Sequence, residues 1–119
     1  MQADELNQLV NDFRLYKGSH LLPATFGRDV FYDHLNTLNI LKIEEVKHIH
    51  LASQETPWKP KTEQYNKTSD HHLVYCQGTS NPMNYLLMAI LRPDAHQQSR
   101  NRNIMYNLGT MAEQFRLKF

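Results

Sequence analysis

The chain has 119 residues, of which 40% are hydrophobic and 21% are charged, and its formal net charge is +1. One hydrophobic core is sustainable at this length and two are not, so we expect a single domain over residues 1–119. No run approaches the roughly 18 to 20 apolar residues that would span a bilayer, and the first residues do not resemble a signal peptide. We therefore expect a cytoplasmic protein without membrane contact. The single cysteine, Cys76, excludes an intramolecular disulfide.

The nearly balanced charge is unevenly distributed along the chain. Residues 1–45 carry four Lys or Arg against seven Asp or Glu, whereas residues 46–119 carry nine against five. The basic part is the better candidate for a surface that binds a polyanion. Most of the seven histidines also lie there, and histidine suits proton transfer near neutral pH. Chance enrichment is the alternative interpretation.

The N-terminal part predicts helices. After Asp4, apolar residues recur at spacings of three and four until Gly18, which is typical of an amphipathic helix with a glycine stop. These residues are Leu6, Leu9, Val10, Phe13 and Tyr16. Beyond Leu22-Pro23, the aromatic segment 26–32 is expected to form a short second helix, and residues 38–45 a strand or an extended connection.

Residues 46–52 alternate in polarity, which predicts a β-strand. The alternation places Lys47, Ile49 and Leu51 on one face, and His48 and His50 on the other. Residues 53–70 then form a polar connection. A connection of this length inside a compact domain is typically functional.

The C-terminal half predicts a hairpin and a helix. Residues 72–77 and 85–92 flank the turn-forming residues 78–82, which indicates an antiparallel hairpin in the middle of the sheet. Pro93-Asp94 is expected to end the second strand and cap a last helix, with an apolar stripe at Ile104, Leu108, Met111 and Phe115. The predicted fold is α+β: a compact antiparallel sheet of three or four strands flanked by N-terminal helices and a C-terminal helix.

The strand histidines raise the question of a metal. Residues two apart on a strand have α-carbons roughly 6.5 to 7 Å apart, a spacing that suits a metal ion or a phosphate for His48 and His50. Zinc would need further ligands, and the doublet His71-His72 cannot place both rings on one face. We therefore expect no metal and no cofactor. Histidines that are hydrogen-bonded beside a helix are the alternative.

A phosphodiester-handling surface fits the same residue types. Cleavage of RNA without a metal requires that a 2′-hydroxyl loses a proton, that cations stabilise the phosphorane and that the leaving 5′-oxygen gains a proton. The long connection combines Lys59, Lys61 and Lys67 with Trp58 and Tyr65, which places charge beside rings on which a base could stack. A solvated surface is the alternative for these lysines.

Three further polar residues lie where the last predicted strand meets the last helix. They are Arg92, His96 and Arg100. His96 and Arg100 are four residues apart and are expected to share a helix face. Surface solvation or a contact at the helix end is the alternative role.

Several segments of the chain together resemble the YafO toxin family. The similarity extends from about residue 6 to the C-terminus. The segments are Leu22-Pro23 with residues 26–29 (FGRD), residues 48–52 (HIHLA), residues 72–78 (HLVYCQG), Pro93 with His96, residues 111–113 (MAE), and Phe115-Arg116. The resemblance implies a toxin of a type II toxin-antitoxin pair, an endoribonuclease that cleaves messenger RNA on the ribosome.

A more distant similarity links residues 70–75 and 86–92 to the last two strands of RelE and YoeB toxins, which implies a RelE-like arrangement. His72 stands where that pattern has an arginine, and His96 lies near the terminal histidine of the YoeB pattern. The chain also continues about twenty residues beyond those relatives. These differences affect the catalytic role given to each residue more than they affect the expected cleavage of RNA.

The residues and the resemblance together predict the site. His50, His72 and His96 are expected to transfer protons and to yield a 2′,3′-cyclic phosphate and a 5′-hydroxyl. The expected substrate-binding residues are His48, Lys59, Lys61, Tyr65, Lys67, Arg92 and Arg100.

The resemblance also implies partners. They are messenger RNA on the ribosome and a cognate antitoxin, which we expect to cover the basic surface with an acidic or apolar segment. The toxin-antitoxin complex could also bind its own promoter DNA. Two alternatives stay open, a ParE-like toxin that acts on DNA gyrase without nuclease activity and a non-catalytic RNA-binding module, because one fold hosts several functions.

Overall fold

A computed structural model of the protein describes residues 2–55 and 57–119. Within these residues, no helix is long and apolar enough to cross a membrane. The elements are α1 (Ala3–Ser19), β1 (Phe26–Phe31), α2 (Asn39–Ile43), β2 (Lys47–Leu51), β3 (His72–Gln77), β4 (Tyr85–Leu91), α3 (Ala95–Gln98) and α4 (Arg102–Lys118), with a 3-10 turn at Gln64–Asn66.

The four strands form one antiparallel sheet in the order β1-β2-β3-β4. The predicted α+β class and the antiparallel sheet are confirmed. The β3–β4 hairpin is also present, but its predicted place in the middle of the sheet is wrong for β4, which is an edge strand. Consecutive strands pair in chain order, so β4 pairs with β3 alone among the strands of residues 2–55 and 57–119.

Residues 26–31 form strand β1, and the predicted short helix is wrong. Phe26 pairs with Leu51 and Asp29 pairs with Ile49, with a register shift between them. The extra residue places Phe26 and Asp29 on the same face although they are three apart, which hides the alternation expected of a strand. Pairing with β2 therefore decides the conformation of a segment whose local pattern was ambiguous.

Residues 39–43 form the short helix α2, where the sequence predicted a strand or an extended connection. One turn of helix needs only one buried side chain, here Leu41, so it leaves no periodic pattern. α2 packs on α4 at Gly109, where an added Cβ would collide with the side chain of Ile40. The glycine inside α4 thus permits a close approach of the two helices.

The last helix begins at Arg102, and the prediction that Pro93-Asp94 would cap it is wrong. Asp94 instead precedes the separate short helix α3 and makes no side-chain cap. The side chain of Asn101 accepts a hydrogen bond from the backbone N–H of Ile104 at 3.1 Å and caps α4. The buried stripe also differs from the prediction: Met111 is exposed, and the buried residues are Met105, Leu108, Gly109 and Ala112.

Each face of the sheet has its own core. On one face, Phe13 of α1 packs with Phe26, Ile49, Leu73 and Tyr75. On the other face, α4 packs against β3 and β4, and α2 packs on α4. The core there is built from Leu41, Val74, Cys76, Leu91, Ala95, Met105, Leu108 and Ala112, with Tyr32 and Val46. The histidines of β2 and β3 lie on this second face.

A buried carboxylate fixes α1 to the sheet. Asp29, with a side chain that is 7% exposed, accepts hydrogen bonds from Tyr16 Oη at 2.8 Å and Tyr75 Oη at 2.7 Å. The ammonium groups of Lys17 and Lys47 lie 3.3 and 3.6 Å from its oxygens. These contacts join α1, β1, β2 and β3, and so hold the sheet that carries the histidines.

Candidate active site

The register of β2 and β3 assembles three histidines. His50 pairs directly with His72, and His48 pairs with Val74, two residues along β3. The ring centroids are 4.4 Å apart for His50 and His72, 4.6 Å for His48 and His72, and 5.3 Å for His48 and His50. The predicted common face of His48 and His50 is thus confirmed, and the neighbouring strand adds a third imidazole to it.

These three imidazoles are buried. The exposed fractions are 8% for His48, 4% for His50 and 2% for His72. Burial, followed by the neighbouring histidines, lowers the pKa of His48 to about 2 and that of His72 to about 4. Burial also lowers the pKa of His50. The charged form of each ring is disfavoured because the site removes its hydration.

The hydrogen bonding of the three rings is incomplete. Nδ1 of His50 lies 2.8 Å from the backbone nitrogen of Ser69 and 3.0 Å from its carbonyl oxygen. Among the described residues, neither ring nitrogen of His72 has a hydrogen-bond partner, and Nδ1 of His48 has none. Such buried nitrogens are rare in folded proteins and call for a functional explanation.

A fourth histidine extends the cluster toward solvent. The ring of His96, in α3, lies 5.4 Å from that of His72, and its side chain is 64% exposed. Nδ1 of His96 is 2.7 Å from Oδ1 of Asp70, and the backbone N–H of His96 donates to the same oxygen at 2.9 Å. The backbone hydrogen bond is the main cause that holds the pKa of Asp70 below its usual range.

The four histidines line one cleft of about 720 Å³, together with the exposed His34. Tyr32 lies in its wall and stacks on His48, with ring centroids 4.0 Å apart and an interplanar angle of 20°. Three arginines, Arg28, Arg100 and Arg102, also line the cleft. Cations beside imidazoles can bind and stabilise a phosphate group, so this cleft combines the residue types that phosphodiester chemistry requires.

The structure brings some of the sequence-predicted site residues together and leaves others apart. His48, His50, His72, His96 and Arg100 all line the cleft. Within residues 2–55 and 57–119, the remaining predicted residues are not part of its wall, namely Lys59, Lys61, Tyr65, Lys67 and Arg92. The guanidinium of Arg92 instead lies 3.7 Å from the carboxylate of Glu5 in α1.

The β2–β3 connection contacts the cleft through Arg28. The guanidinium of Arg28 stacks 4.1 Å from the ring of Tyr65, and its Nε donates to the carbonyl of Tyr65 at 2.6 Å. The backbone N–H of Arg28 donates to the carbonyl of Lys67 at 2.9 Å. The connection therefore positions an arginine of the cleft wall.

Gly27 permits this docking of the connection on β1. An added Cβ at Gly27 would collide with the carbonyl of Lys67 and lie 2.9 Å from the ring of Trp58. The side chain of Gln64 also donates to the carbonyl of Gly27 at 3.0 Å. The close approach of the two backbones thus requires a residue without a side chain.

Sequence reasoning missed Arg28, Asp70, Tyr32 and Arg102 as site residues. The position of Asp70, two residues before His72, was the available signal for an acid that contacts a histidine. Arg28 carried no such signal, because the predicted helix over 26–32 concealed the strand that places it beside His48 and His50. The sequence predicted that only His48 and His50 could share a metal ion. The structure adds His72, because the ligand nitrogens of the three residues lie within 4.8 Å of one another.

Comparison with known proteins identifies the family of the chain. The family model described as "Toxin YafO, type II toxin-antitoxin system" matches residues 14–117. The chain is similar to the mRNA interferase toxin YafO of Escherichia coli (strain K12), with 45% identity over 120 residues that cover 100% of this chain and 91% of the relative. No solved structure matches. The chain therefore belongs to the YafO toxin family of type II toxin-antitoxin systems.

Proposed function

We propose that this protein is an mRNA interferase, a ribosome-dependent endoribonuclease that cleaves translated messenger RNA and so inhibits protein synthesis. The observation that carries the proposal is the cleft, in which the cluster of four histidines shares a wall with His34 and three arginines. The name of the Escherichia coli relative supports the same activity. We assign the activity to the whole chain, residues 1–119, as one cytoplasmic domain.

The first chemical step is attack of a ribose 2′-oxygen on the adjacent phosphorus. His72 takes the proton of the 2′-hydroxyl, because it lines the cleft and has ring nitrogens that are not engaged by other described residues. His50, edge-on to His72 with ring centroids 4.4 Å apart, is the second group that can accept this proton. His48 binds the substrate beside them.

The second step is departure of the 5′-oxygen, to which His96 donates a proton. His96 is far more exposed than His48, His50 and His72, and Asp70 holds its ring through the 2.7 Å contact with Nδ1. An orienting carboxylate leaves Nε2 free to point toward the substrate. The bond from phosphorus to the 5′-oxygen breaks after the bond to the 2′-oxygen has formed, and the products are a 2′,3′-cyclic phosphate and a 5′-hydroxyl.

The cations have two roles in this proposal. Arg100 and Arg28, both in the cleft wall, contact the phosphate that is cleaved and stabilise the charge of the phosphorane. Lys59, Lys61, Lys67 and Arg92 lie outside the wall and bind the flanking phosphates, while Tyr65 supports Arg28. The reaction needs no metal ion and no cofactor, since imidazole and guanidinium groups supply each proton and charge.

The proposed partners follow from the same site. A cognate antitoxin neutralises the protein by covering the cleft and the basic connection, and the ribosome presents the message. We also propose that the toxin-antitoxin complex binds its own promoter DNA.

Cleavage of a defined message on ribosomes, mapped by primer extension, tests the proposal. We expect His72→Ala and His96→Ala each to lower the cleavage rate by about 10² to 10⁴, the usual cost of losing a general acid or base. His71→Ala is the matched control, because His71 adjoins His72 but does not line the cleft. Full activity of both cleft variants, or inhibition of gyrase supercoiling by a protein that leaves messages intact, would overturn the proposal.

A further inference from the structure

His48, His50 and His72 form a compact set of nitrogen donors. All three side chains are more than nine-tenths buried, and the potential ligand nitrogens lie within 4.8 Å of one another. A tetrahedral zinc ion with Zn–N bonds of 2.0 to 2.1 Å places its ligand nitrogens roughly 3.4 Å apart. Small rotations of the imidazoles toward a common centre would therefore complete a three-histidine site.

The unengaged nitrogens of this cluster indicate a ligand. Both ring nitrogens of His72 and Nδ1 of His48 are buried without a hydrogen-bond partner among the described residues. A buried polar atom without a partner is unfavourable, because folding removes its hydrogen bonds to water and returns none. A metal ion bound between the rings would engage lone pairs that the protein leaves unused.

One of the two tautomers of His50 suits a metal ligand. When Nδ1 of His50 carries the proton, it donates to the carbonyl oxygen of Ser69 at 3.0 Å. Ligand histidines commonly donate one ring N–H to a backbone carbonyl in this way, which orients the ring and leaves the other nitrogen for the ion. In the other tautomer Nδ1 of His50 accepts the backbone N–H of Ser69 at 2.8 Å, so zinc binding through Nε2 requires the tautomer in which Nδ1 donates to the carbonyl oxygen.

The chemistry of the site selects the kind of ion. Imidazole ligands suit zinc and other late first-row metals, whereas magnesium and calcium require oxygen ligands. Arg28, Arg100 and Arg102 line the same cleft and oppose cation binding through their charge. The affinity must therefore come from coordination bonds to nitrogen, which strongly favours zinc over magnesium.

We infer that His48, His50 and His72 bind one zinc ion per chain, and that the bound ion inhibits the toxin. The inhibitory effect rests on the proposed function, in which His72 and His50 accept the proton of the 2′-hydroxyl. A nitrogen that coordinates zinc has no lone pair left for that proton. Zinc would then hold the protein inactive without an antitoxin, and removal of zinc would restore cleavage.

Metal binding is measured first and without reference to activity. The full-length protein, stripped of metals by a chelator, is titrated with Zn²⁺ by calorimetry and with Co²⁺ by visible absorption. We expect one ion per chain, a Co²⁺ spectrum typical of tetrahedral nitrogen coordination, and a higher melting temperature with Zn²⁺ than with Mg²⁺.

Matched variants locate the site. His48→Gln should lose stoichiometric zinc binding, whereas His71→Gln, which changes a histidine outside the cluster, should keep it. Circular dichroism reports whether His48→Gln is folded, and the melting-temperature shift of the unmodified protein answers the question independently. Absence of that shift and of stoichiometric binding, or unchanged binding by folded His48→Gln, would overturn the metal site.

Cleavage assays then test inhibition. One equivalent of Zn²⁺ should lower the cleavage rate of the unmodified protein and of His71→Gln by at least tenfold, and 1,10-phenanthroline should restore it. Zinc binding that leaves the rate unchanged or raises it would overturn the inhibitory role. If the metal-free protein makes no cuts at all, the proposed function fails instead, while the binding measurements still decide whether the metal site exists.

Discussion

His96 and Asp70 are joined twice through a single carboxylate oxygen. Oδ1 of Asp70 lies 2.7 Å from the ring Nδ1 of His96 and accepts the backbone N–H of His96 at 2.9 Å. The carbonyl of Asp70 also accepts the N–H of Ala95 at 3.0 Å. The start of α3 is thereby fixed to the residues that precede β3, and the ring of His96 is held beside His72.

Asp70→Asn should therefore lower cleavage by misplacing His96. We expect the turnover rate to fall by up to about 10²-fold, because small errors in the position of a catalytic group are costly, while binding to ribosomes is unchanged. Single-turnover cleavage and ribosome co-sedimentation separate the two effects. Asp94→Asn is the control, since Asp94 is exposed and makes no side-chain cap. Equal rates for the two variants would show that Asp70 does not position His96.

His72→Leu should separate stability from activity. The leucine removes two buried nitrogens that have no hydrogen-bond partner in the described part of the chain, so the free energy of unfolding should rise by about 1 kcal/mol. The cleavage rate should fall by about 10² to 10⁴. Urea denaturation in the presence of a chelator measures the first quantity and primer extension the second. A variant that is both less stable and fully active would contradict the role given to His72.

Two glycine substitutions should have opposite effects. At Gly27 an alanine collides with the carbonyl of Lys67 and should lower the free energy of unfolding by about 1 to 3 kcal/mol. At Gly18, in the last turn of α1, an added Cβ meets nothing within 4 Å. Alanine at this position should raise the free energy of unfolding by about 0.5 to 1 kcal/mol. Thermal unfolding of both variants is the measurement. A Gly27→Ala protein as stable as Gly18→Ala would mean that the connection does not dock on β1.

Asp29→Ala should be the most destabilising of these substitutions. It leaves the hydroxyls of Tyr16 and Tyr75 without their acceptor and removes the partner of two lysines. Breaking a buried charged contact of this kind costs about 3 to 5 kcal/mol. Asp33→Ala, at an exposed carboxylate, should change the free energy of unfolding by less than about 0.5 kcal/mol. Chemical denaturation would disprove the role of Asp29 if both variants unfolded at the same midpoint.

Local sequence patterns were sufficient to predict α1 and β2. The alternation over 46–52 placed His48 and His50 on one face of β2, and spacings of three and four located α1. The pattern failed for β1, because the register shift between Phe26 and Asp29 breaks the alternation. It also failed for α2, a single turn held by Leu41 and by the contact of Ile40 with Gly109.

The candidate site depends on pairing that the sequence does not encode locally. His50 meets His72 because β2 and β3 pair in one particular register across a connection of twenty residues. A shift of one residue would turn His72 to the opposite face. The sequence could therefore nominate each histidine separately, but the cluster of three and the cleft it shares with Arg28 follow only from the assembled sheet.

The end groups of the cut RNA report whether the histidines and arginines of the cleft cleave the message without a metal ion. A defined message on ribosomes is treated with the metal-free protein in 1,10-phenanthroline, which removes zinc while the ribosomes keep their magnesium. We expect cleavage that leaves 5′-hydroxyl ends, which polynucleotide kinase labels without prior phosphatase treatment, together with 2′,3′-cyclic phosphates. Fragments that begin with a 5′-phosphate, or cleavage that appears only after zinc is added back, would contradict it.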